Sequence, residues 1–291
     1  MTICVGAHVP KCAGTTILRR VQSCLDSSKI YQNTSMAENF RNGRPEIMQM
    51  ARRDQLRFLW GHSIHEEMLR YFKEDVFLFT GLREPRDRMS SMYFYHVRIA
   101  KENGNPYLSA DEFIDRTQNP ICNFFIHRFP RIAGSEGSLS DRAKRVLTLF
   151  DLIYFSEDLE NSAQIIFDVL GITPESENFN LRPDSEVGKN IEINDERISE
   201  DLILYDFAKE MSAKSITKSD VMDRQKKNDT IRKDILSGWV NEGVLGDFLY
   251  QQTLIEYKAW NQLDNVISTR MAQIRAITQE ISAYARRSSL D

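Results

Sequence analysis

Long apolar runs are absent from this 291-residue sequence, and so is an apolar stretch near its start of the kind that forms a signal peptide. We therefore expect no transmembrane segment and a cytoplasmic protein. An excess of positive charge is also absent, because the formal net charge is −4 at pH 7. This balance argues against a general nucleic-acid-binding protein, since such proteins present many basic residues to the phosphate backbone.

Cysteine is scarce as well. The sequence contains no Cys-x-x-Cys pair and no other spacing typical of zinc ligands among its four cysteines, Cys4, Cys12, Cys24 and Cys122. We expect reduced thiols and no bound metal. No low-complexity linker is visible, so the composition is that of an ordinary globular protein long enough to bury a core without disulfides.

Short apolar runs recur along the first 171 residues and alternate with helical patterns. Buried β-strands are predicted at residues 3–7, 56–60, 75–82 and 151–155. Helices are predicted at residues 17–25, 85–101, 141–150 and 159–170, with one more after a capping box formed by Ser109 and Glu112. Such alternation is typical of an α/β fold, in which helices cover a central parallel sheet.

The pattern changes after this region, because from about Asp195 the sequence is helical throughout. An amphipathic segment, Val266 to Ala285, could pack on the sheet or on a second copy of the chain, which would make a homo-oligomer. We predict a single domain over residues 1–291, divided into an α/β core at 1–175 and a helical C-terminal extension at 190–291.

The sequence His-Val-Pro-Lys-Cys-Ala-Gly-Thr-Thr occupies residues 8–16, between the first predicted strand and the first predicted helix. A strand, a tight loop and a helix start direct backbone N–H groups and the positive end of the helix dipole at an anion. Gly14 would let the chain approach a ligand closely, and Thr15 and Thr16 could cap the helix. Lys11 adds a positive charge, so the loop suits a phosphate or a group of similar shape.

The order of these residues differs from a Walker A loop, where lysine directly follows the last glycine, because Lys11 precedes Gly14. It resembles the His-x-Pro-Lys-(Thr/Cys)-(Ala/Gly)-Gly-(Thr/Ser)-(Thr/Ser) loop of sulfotransferases that use 3′-phosphoadenosine 5′-phosphosulfate (PAPS), in the form found in carbohydrate sulfotransferases and their bacterial relatives. The resemblance implies a P-loop-like three-layer α/β/α fold with additional C-terminal helices. It also implies that the 5′-phosphosulfate is bound by Lys11, Cys12, Ala13, Gly14, Thr15 and Thr16.

A second motif, Arg-Glu-Pro-Arg-Asp-Arg-Met-Ser-Ser-Met-Tyr at residues 83–93, directly follows the strongest predicted strand. Pro85 suits the first turn of a helix, and a guanidinium together with a hydroxyl is what a phosphate monoester needs. The stretch resembles the 3′-phosphate motif of PAPS sulfotransferases, Arg-(Asp/Glu)-Pro-x-x-Arg-x-x-Ser-x-Tyr. The resemblance implies that Arg83 and Ser91 bind the 3′-phosphate and that Arg88 supports the site.

Sulfuryl transfer needs a base for the acceptor's proton, and histidine titrates in a suitable range. His62 follows a predicted parallel strand, where active sites of α/β folds lie. Its Gly-His setting resembles that of the base in heparan sulfate 2-O-sulfotransferase-like enzymes, which carry a second histidine two residues earlier, where this chain has Trp60. The alternative base is His65. The remaining histidines are interpreted as orienting or structural: His8, His96 and His127.

These features together favour a PAPS-dependent sulfotransferase that acts on a hydroxyl of a carbohydrate or glycoconjugate by in-line displacement and releases adenosine 3′,5′-bisphosphate (PAP). Lys11 would neutralise the sulfuryl and bridging oxygens, and His62 would take the proton, without a metal. Two alternatives stay open. One is a P-loop-type kinase of a nucleotide or small molecule, and the other is a non-catalytic module that binds a bisphosphate or a glycan.

The acceptor itself is not specified by any motif. Its pocket is expected from segments interpreted as loops, at residues 26–55, 103–108 and 119–140. An arginine cluster in and beside the first of these is either a solvated face or the lining of a cleft for an anionic acceptor, and it comprises Arg41, Arg44, Arg52, Arg53 and Arg57.

Overall fold

The computed structural model describes residues 2–33, 55–72, 75–175, 191–213 and 217–237. All of them belong to one compact unit, Met1–Ser237, which is built around a single sheet. The amphipathic segment predicted at Val266 to Ala285 lies outside the described residues.

The sheet has five parallel strands in the order β2-β3-β1-β4-β5. They are β1 (Ile3–Ala7), β2 (Ile30–Asn33), β3 (Phe58–Gly61), β4 (Val76–Leu82) and β5 (Leu152–Phe155). Ala7, at the end of the central strand, lies opposite Gly61 of β3 and Thr80 of β4. Helices lie on both sides of the sheet, so the predicted α/β fold with a central parallel sheet is confirmed.

Every residue of β1, β3, β4 and β5 is buried, which explains why these strands are continuous apolar runs rather than alternating ones. Four aromatic side chains of β3 and β4 form much of the core beside the first helix: Phe58, Trp60, Phe77 and Phe79. Burial of one such side chain contributes about 1.5–3 kcal/mol, so these strands anchor the loops that follow them.

Nine helices are found within the described ranges. They are α1 (Gly14–Gln22), α2 (Pro85–Glu102), α3 (Ala110–Arg116), α4 (Pro120–Arg128), α5 (Pro130–Ala133), α6 (Leu139–Leu147), α7 (Leu159–Leu170), α8 (Ser199–Ala213) and α9 (Lys218–Ser237). Local sequence sets several ends as predicted, with Pro85 in the first turn of α2, the Ser109 capping box before α3 and left-handed Gly171 after α7. Among the described helices, none is long and apolar enough to cross a membrane.

Two interpretations of connecting segments are wrong. Residues 119–140, taken as a loop, contain α4 and α5. Each of these helices begins at a proline, Pro120 or Pro130, whose fixed φ and missing N–H suit a first helical turn. Residues 26–55 contain the edge strand β2, whose four residues are too few and too polar to show a clear period.

Helices α4 and α8 cap each other through residues that lie far apart in the sequence. The Asp201 carboxylate of α8 accepts hydrogen bonds from the backbone N–H groups of Ile121 (2.9 Å) and Cys122 (2.8 Å) in α4. In return, Asn119 Oδ1 accepts from the backbone N–H groups of Glu200 (3.1 Å) and Asp201 (3.2 Å). Each helix start thus obtains its acceptor from the other helix.

Helix α9 packs against the protein with a face that is buried but mostly polar. Gln225, Asn228 and Arg232 are each almost fully buried. The Arg232 guanidinium donates to the Asp151 carboxylate (3.0 Å) and to the backbone carbonyl of Val76 (2.9 Å). These contacts attach α9 to the start of β4 and to the residue that precedes β5, at the edge of the sheet opposite the candidate site.

Candidate functional site

The loop between β1 and α1, residues 8–13, lies at the carboxyl edge of the sheet. Three adjacent parallel strands, β1, β3 and β4, end at this edge, and the two motifs found in the sequence follow two of them. The Thr80 hydroxyl donates to the Ala7 carbonyl at 2.7 Å and ties the end of β1 to β4. Ligands of open α/β sheets bind outside the carboxyl ends of the strands, so we describe this edge as the candidate site.

The loop turns through two left-handed residues that are not glycine, Lys11 (φ 70°) and Ala13 (φ 56°). Gly14 itself does not have a positive φ. It is required for packing, because a Cβ atom at this position would lie 2.0 Å from Cε1 of the His8 ring. Close approach to His8 is therefore one reason for glycine at this position, and the expected close approach of a ligand stays a prediction.

The expectation that Thr15 or Thr16 caps α1 is wrong, because the helix begins at Gly14 and both threonines lie inside its first turn. The N-cap residue is Ala13, which has no polar side-chain atom to accept from the backbone N–H groups of that turn. The positive end of α1 is thus left without a side-chain cap. Such a helix start binds anions well.

Hydrogen bonds from β5 and α2 hold the loop in place. The buried Tyr154 hydroxyl of β5 donates to the Cys12 carbonyl at 3.0 Å, and Arg88 Nε of α2 donates to the Pro10 carbonyl at 3.0 Å. Arg88 is almost fully buried and holds the loop from within the protein, whereas its predicted support of a 3′-phosphate site stays a prediction. Burial raises the pKa of the Cys12 thiol to about 11, which leaves this residue to act through its backbone.

The Lys11 ammonium lies over the ring of Tyr95, 4.3 Å from its centroid. The Arg98 guanidinium lies 5.5 Å from the same centroid. Tyr95 and Arg98 were missed in the sequence, although Tyr95 follows Ser91 by one helical turn and so lies on the same side of α2. A half-exposed aromatic ring that is approached by two cations therefore borders the lysine of the loop.

The second motif begins where β4 ends. Arg83 Nη2 lies 4.0 Å from the Asp87 carboxylate, too far for a hydrogen bond, and a quarter of its side chain is exposed. Arg86, three residues on, pairs with Asp195 at 2.6 Å. Ser91 is buried two turns further along α2. The bond from Arg88 to Pro10 and the contact of Tyr95 with Lys11 place α2, which follows Arg83 and carries Ser91, beside the loop.

His62 follows the last residue of β3, and its Nδ1 lies 2.8 Å from the His8 carbonyl oxygen. Because a carbonyl oxygen only accepts, Nδ1 must carry the hydrogen, and Nε2 of a neutral ring is left with the lone pair. Desolvation lowers the pKa of His62, and the charges of Arg128 and Arg88 lower it further, against the raising effect of this hydrogen bond. A neutral ring with a free Nε2 lone pair can accept a proton.

The alternative base, His65, lies at the start of a short 3₁₀ helix and is a poorer candidate. Desolvation and the charge of Arg128 lower its pKa to about 3, so it binds a proton only weakly. His96 and His127 are exposed. Of the two histidines proposed from the sequence, His62 is the one whose hydrogen bond at Nδ1 leaves a lone pair on Nε2.

Arg57 is the member of the arginine cluster that lies within the described residues, and it does not line the candidate site. Arg57 Nη2 donates to the carbonyl of Leu170, the last residue of α7, at 3.0 Å. Arg57 precedes β3, so this contact lies at the edge of the sheet away from the loop. The other members, Arg41, Arg44, Arg52 and Arg53, lie outside the described residues. Among the residues that are described, no group of three His, Cys, Asp or Glu side chains could hold a metal ion.

The sequence matches no protein-family model and no curated protein. Among solved structures, the fold is similar to that of mouse sulfotransferase SULT7A1, whose crystal structure is a complex with PAP. The two chains share 15% sequence identity with a TM-score of 0.37, and the similarity covers 60% of this chain and 60% of that enzyme. We therefore argue the function from the residues of the site.

Proposed function

We propose that this protein is a PAPS-dependent sulfotransferase that acts on a hydroxyl of a carbohydrate or glycoconjugate. The observation that carries the proposal is that one loop is bonded to both other parts of the site. The Pro10 carbonyl accepts from Arg88 of the second motif, and the His8 carbonyl accepts from His62. The loop that carries Lys11 is thus in contact with the start of α1, with α2 and with the neutral ring of His62.

These groups match the chemistry of the donor. Phosphate and sulfate oxygens accept hydrogen bonds from helix N-termini, lysine and arginine. The start of α1 and Lys11 would hold the 5′-phosphosulfate, and Arg83 with Ser91 would hold the 3′-phosphate. The cation–π contact with Tyr95 keeps the Lys11 ammonium at the loop, ready to neutralise charge on the sulfuryl and bridging oxygens.

PAPS supplies the sulfuryl group. The acceptor oxygen bonds to sulfur while the bond between sulfur and the bridging phosphate oxygen breaks, and PAP leaves with that electron pair. His62 Nε2 takes the acceptor's proton, and the imidazolium that forms keeps its Nδ1–H bond to the His8 carbonyl. Lys11 stabilises the charge that develops on the leaving oxygen.

The decisive experiment compares ligands by thermal shift and then tests turnover. We expect stabilisation by PAP that exceeds stabilisation by ATP with Mg²⁺, followed by transfer from radiolabelled PAPS to members of a panel of carbohydrate hydroxyl acceptors. A kinase would prefer ATP with Mg²⁺, and a non-catalytic module would bind PAP or glycan without turnover. Absence of PAP binding would refute the proposal.

PAP is expected to bind equally well in excess EDTA. Lys11, Arg83 and Ser91 supply the positive charge and the hydrogen bonds that a metal would otherwise contribute. Isothermal titration calorimetry with and without EDTA measures the difference directly. A loss of affinity of about tenfold or more on chelation, or about 1.4 kcal/mol, would mean that a cation takes part in binding.

Arg83→Ala is expected to weaken PAP binding roughly 10- to 100-fold, because a charge-assisted phosphate contact contributes about 1.5–3 kcal/mol. Binding of adenosine 5′-phosphosulfate, which lacks the 3′-phosphate, should change much less. Arg86→Ala is the matched control in the same motif, since Arg86 is engaged with Asp195 and Glu84. Equal losses for both ligands would show that Arg83 does not recognise the 3′-phosphate.

A further inference from the structure

The His8 side chain lies between two other rings. Its imidazole stacks on Trp60 with centroids 4.9 Å apart and on His62 with centroids 4.4 Å apart, at interplanar angles of 21° and 22°. Gly14 lies against the same ring, so close that a Cβ atom at this position would clash with it. His8 thus fills a slot between the core, the loop and the candidate base.

Packing alone does not explain an imidazole at position 8, because the ring is buried and one of its nitrogens has no hydrogen-bond partner in the described part of the chain. The residue is 8% exposed, and its Nδ1 is buried without a hydrogen-bond partner among the described residues. A buried polar atom without a hydrogen-bond partner lowers stability, so an apolar side chain would pack here at less cost. Desolvation, together with the charges of His62, Arg88 and Lys11, holds the pKa of His8 well below its usual range. The ring is therefore neutral beside His62.

The groups around His62 restrict its ring in different ways. The carbonyl of His8 holds Nδ1, and Arg128 Nε donates to the backbone carbonyl of His62 at 2.8 Å. The bond at Nδ1 restricts rotation of the imidazole about the bond that joins it to Cβ, but turning the ring would break only this one contact. The flat neutral face of His8 adds a second restraint, since it stacks on one side of that ring.

We propose that His8 is a positioning residue for His62, whose ring it holds so that Nδ1 stays on the backbone carbonyl and Nε2 stays available to the acceptor. The role in turnover rests on the function proposed above, whereas the role in fixing the ring and its tautomer does not. The charges of Arg88 on α2 and Arg128 on α4 also disfavour a proton on His62, so its protonation depends on these helices as well as on the loop.

His8→Leu removes the flat face while keeping an apolar side chain, and His8→Phe restores a flat ring. We expect kcat of the leucine variant to fall roughly 10- to 100-fold, because a misplaced catalytic group loses that much, with PAP affinity unchanged. The phenylalanine variant should recover most of this rate. In ¹⁵N-histidine NMR spectra, which need no turnover, His62 should be the Nδ1–H tautomer in the parent and a mixture of tautomers in His8→Leu.

A double-mutant cycle separates positioning from stability. In the His62→Ala background, His8→Leu should cause no further loss of kcat, since there is no ring left to position. The proposal fails if His8→Leu keeps both the rate and the tautomer, or if it lowers the rate equally in both backgrounds. If PAPS turnover is absent from the parent but the His62 tautomer still depends on residue 8, the positioning role stands and the proposed function fails.

Discussion

His62→Ala is expected to lower kcat by roughly 10²–10⁴-fold, the usual contribution of a general base. The affinity for PAP should be nearly unchanged, because the base acts on the acceptor's proton only as sulfur is transferred. Nε2 of this ring contacts neither phosphate in the proposed arrangement. Steady-state kinetics with PAPS, together with PAP calorimetry and a melting temperature, measure the three quantities separately.

His65→Ala is the matched control for this result. Its imidazole lies three residues away, and its pKa of about 3 makes it too weak a base to assist at neutral pH. We expect it to keep most of the activity. If instead His65→Ala loses the activity while His62→Ala keeps more than about a tenth of it, the base has been assigned to the wrong histidine.

The pH profile of the parent enzyme gives a second test of His62. A base must be unprotonated, so activity is present above its pKa and is lost as the pH falls through that value. Because the pKa of His62 is lowered from its usual 6.5, kcat/KM should be flat at neutral pH and fall only below about 6.5. The acidic limb should disappear in His62→Ala.

Arg232→Met is expected to reduce the free energy of unfolding by about 3–5 kcal/mol, because removal of one partner leaves a buried charge without compensation. The side chains of Arg232 and Asp151 are 2% and 0% exposed. Arg232 also donates to the carbonyls of Leu149 (2.7 Å) and Val76 (2.9 Å), which would lose these partners. Urea denaturation measures the change, and PAP affinity of the folded fraction should be unaffected, since this cluster is at the other edge of the sheet.

Lys233→Met is the matched control, since Lys233 is half exposed and pairs with Asp229 at 2.6 Å. Because the Lys233 side chain is half exposed, whereas both partners of the Arg232–Asp151 pair are buried, the control should cost less than Arg232→Met. The double variant Asp151→Asn with Arg232→Met should be more stable than Arg232→Met alone, because it removes the orphaned charge. If Arg232→Met and Lys233→Met cost the same, the buried pair is not what holds α9.

The effect of Arg232→Met should depend on pH in a defined direction. Burial raises the pKa of Asp151, and the Arg232 charge opposes this, so loss of the arginine raises the pKa further. A carboxyl whose pKa is raised on folding stabilises the protein while it is protonated. This contribution to stability is lost as the pH rises through the pKa of the folded state. The deficit of the variant relative to the parent should therefore shrink between pH 7.5 and pH 5.

The parts of the fold that were predicted correctly are those that local sequence determines. Continuous apolar runs identified β1, β3, β4 and β5, and residues such as Pro85 and Ser109 identified helix starts. The order of residues around Lys11 indicated an anion loop after β1. These features depend on the period and chemistry of consecutive residues, which the sequence displays directly.

The parts that were missed depend on partners distant in sequence. The helix start at Pro120 is capped by Asp201 from α8, about 80 residues away, and no local pattern announces that acceptor. The buried face of α9 carries Asn228 and Arg232. Because these residues are polar, a search for periodic apolar residues does not identify that face as buried. Likewise, the ring of His8 and the ring of His62 are 54 residues apart in the chain, and only the pairing of β1 with β3 brings them together.

The left-handed backbone at Lys11 and Ala13 has a consequence for anyone who engineers this protein for heat resistance. Glycine adopts that backbone without the steric penalty of a Cβ atom, so a search that scores only folding free energy would favour glycine at both positions. At residue 11 such a choice would remove the ammonium that the proposed reaction uses. Selection for stability and selection for turnover therefore oppose each other at residue 11, and a library for thermostability should hold this position constant while residue 13 is free to become glycine.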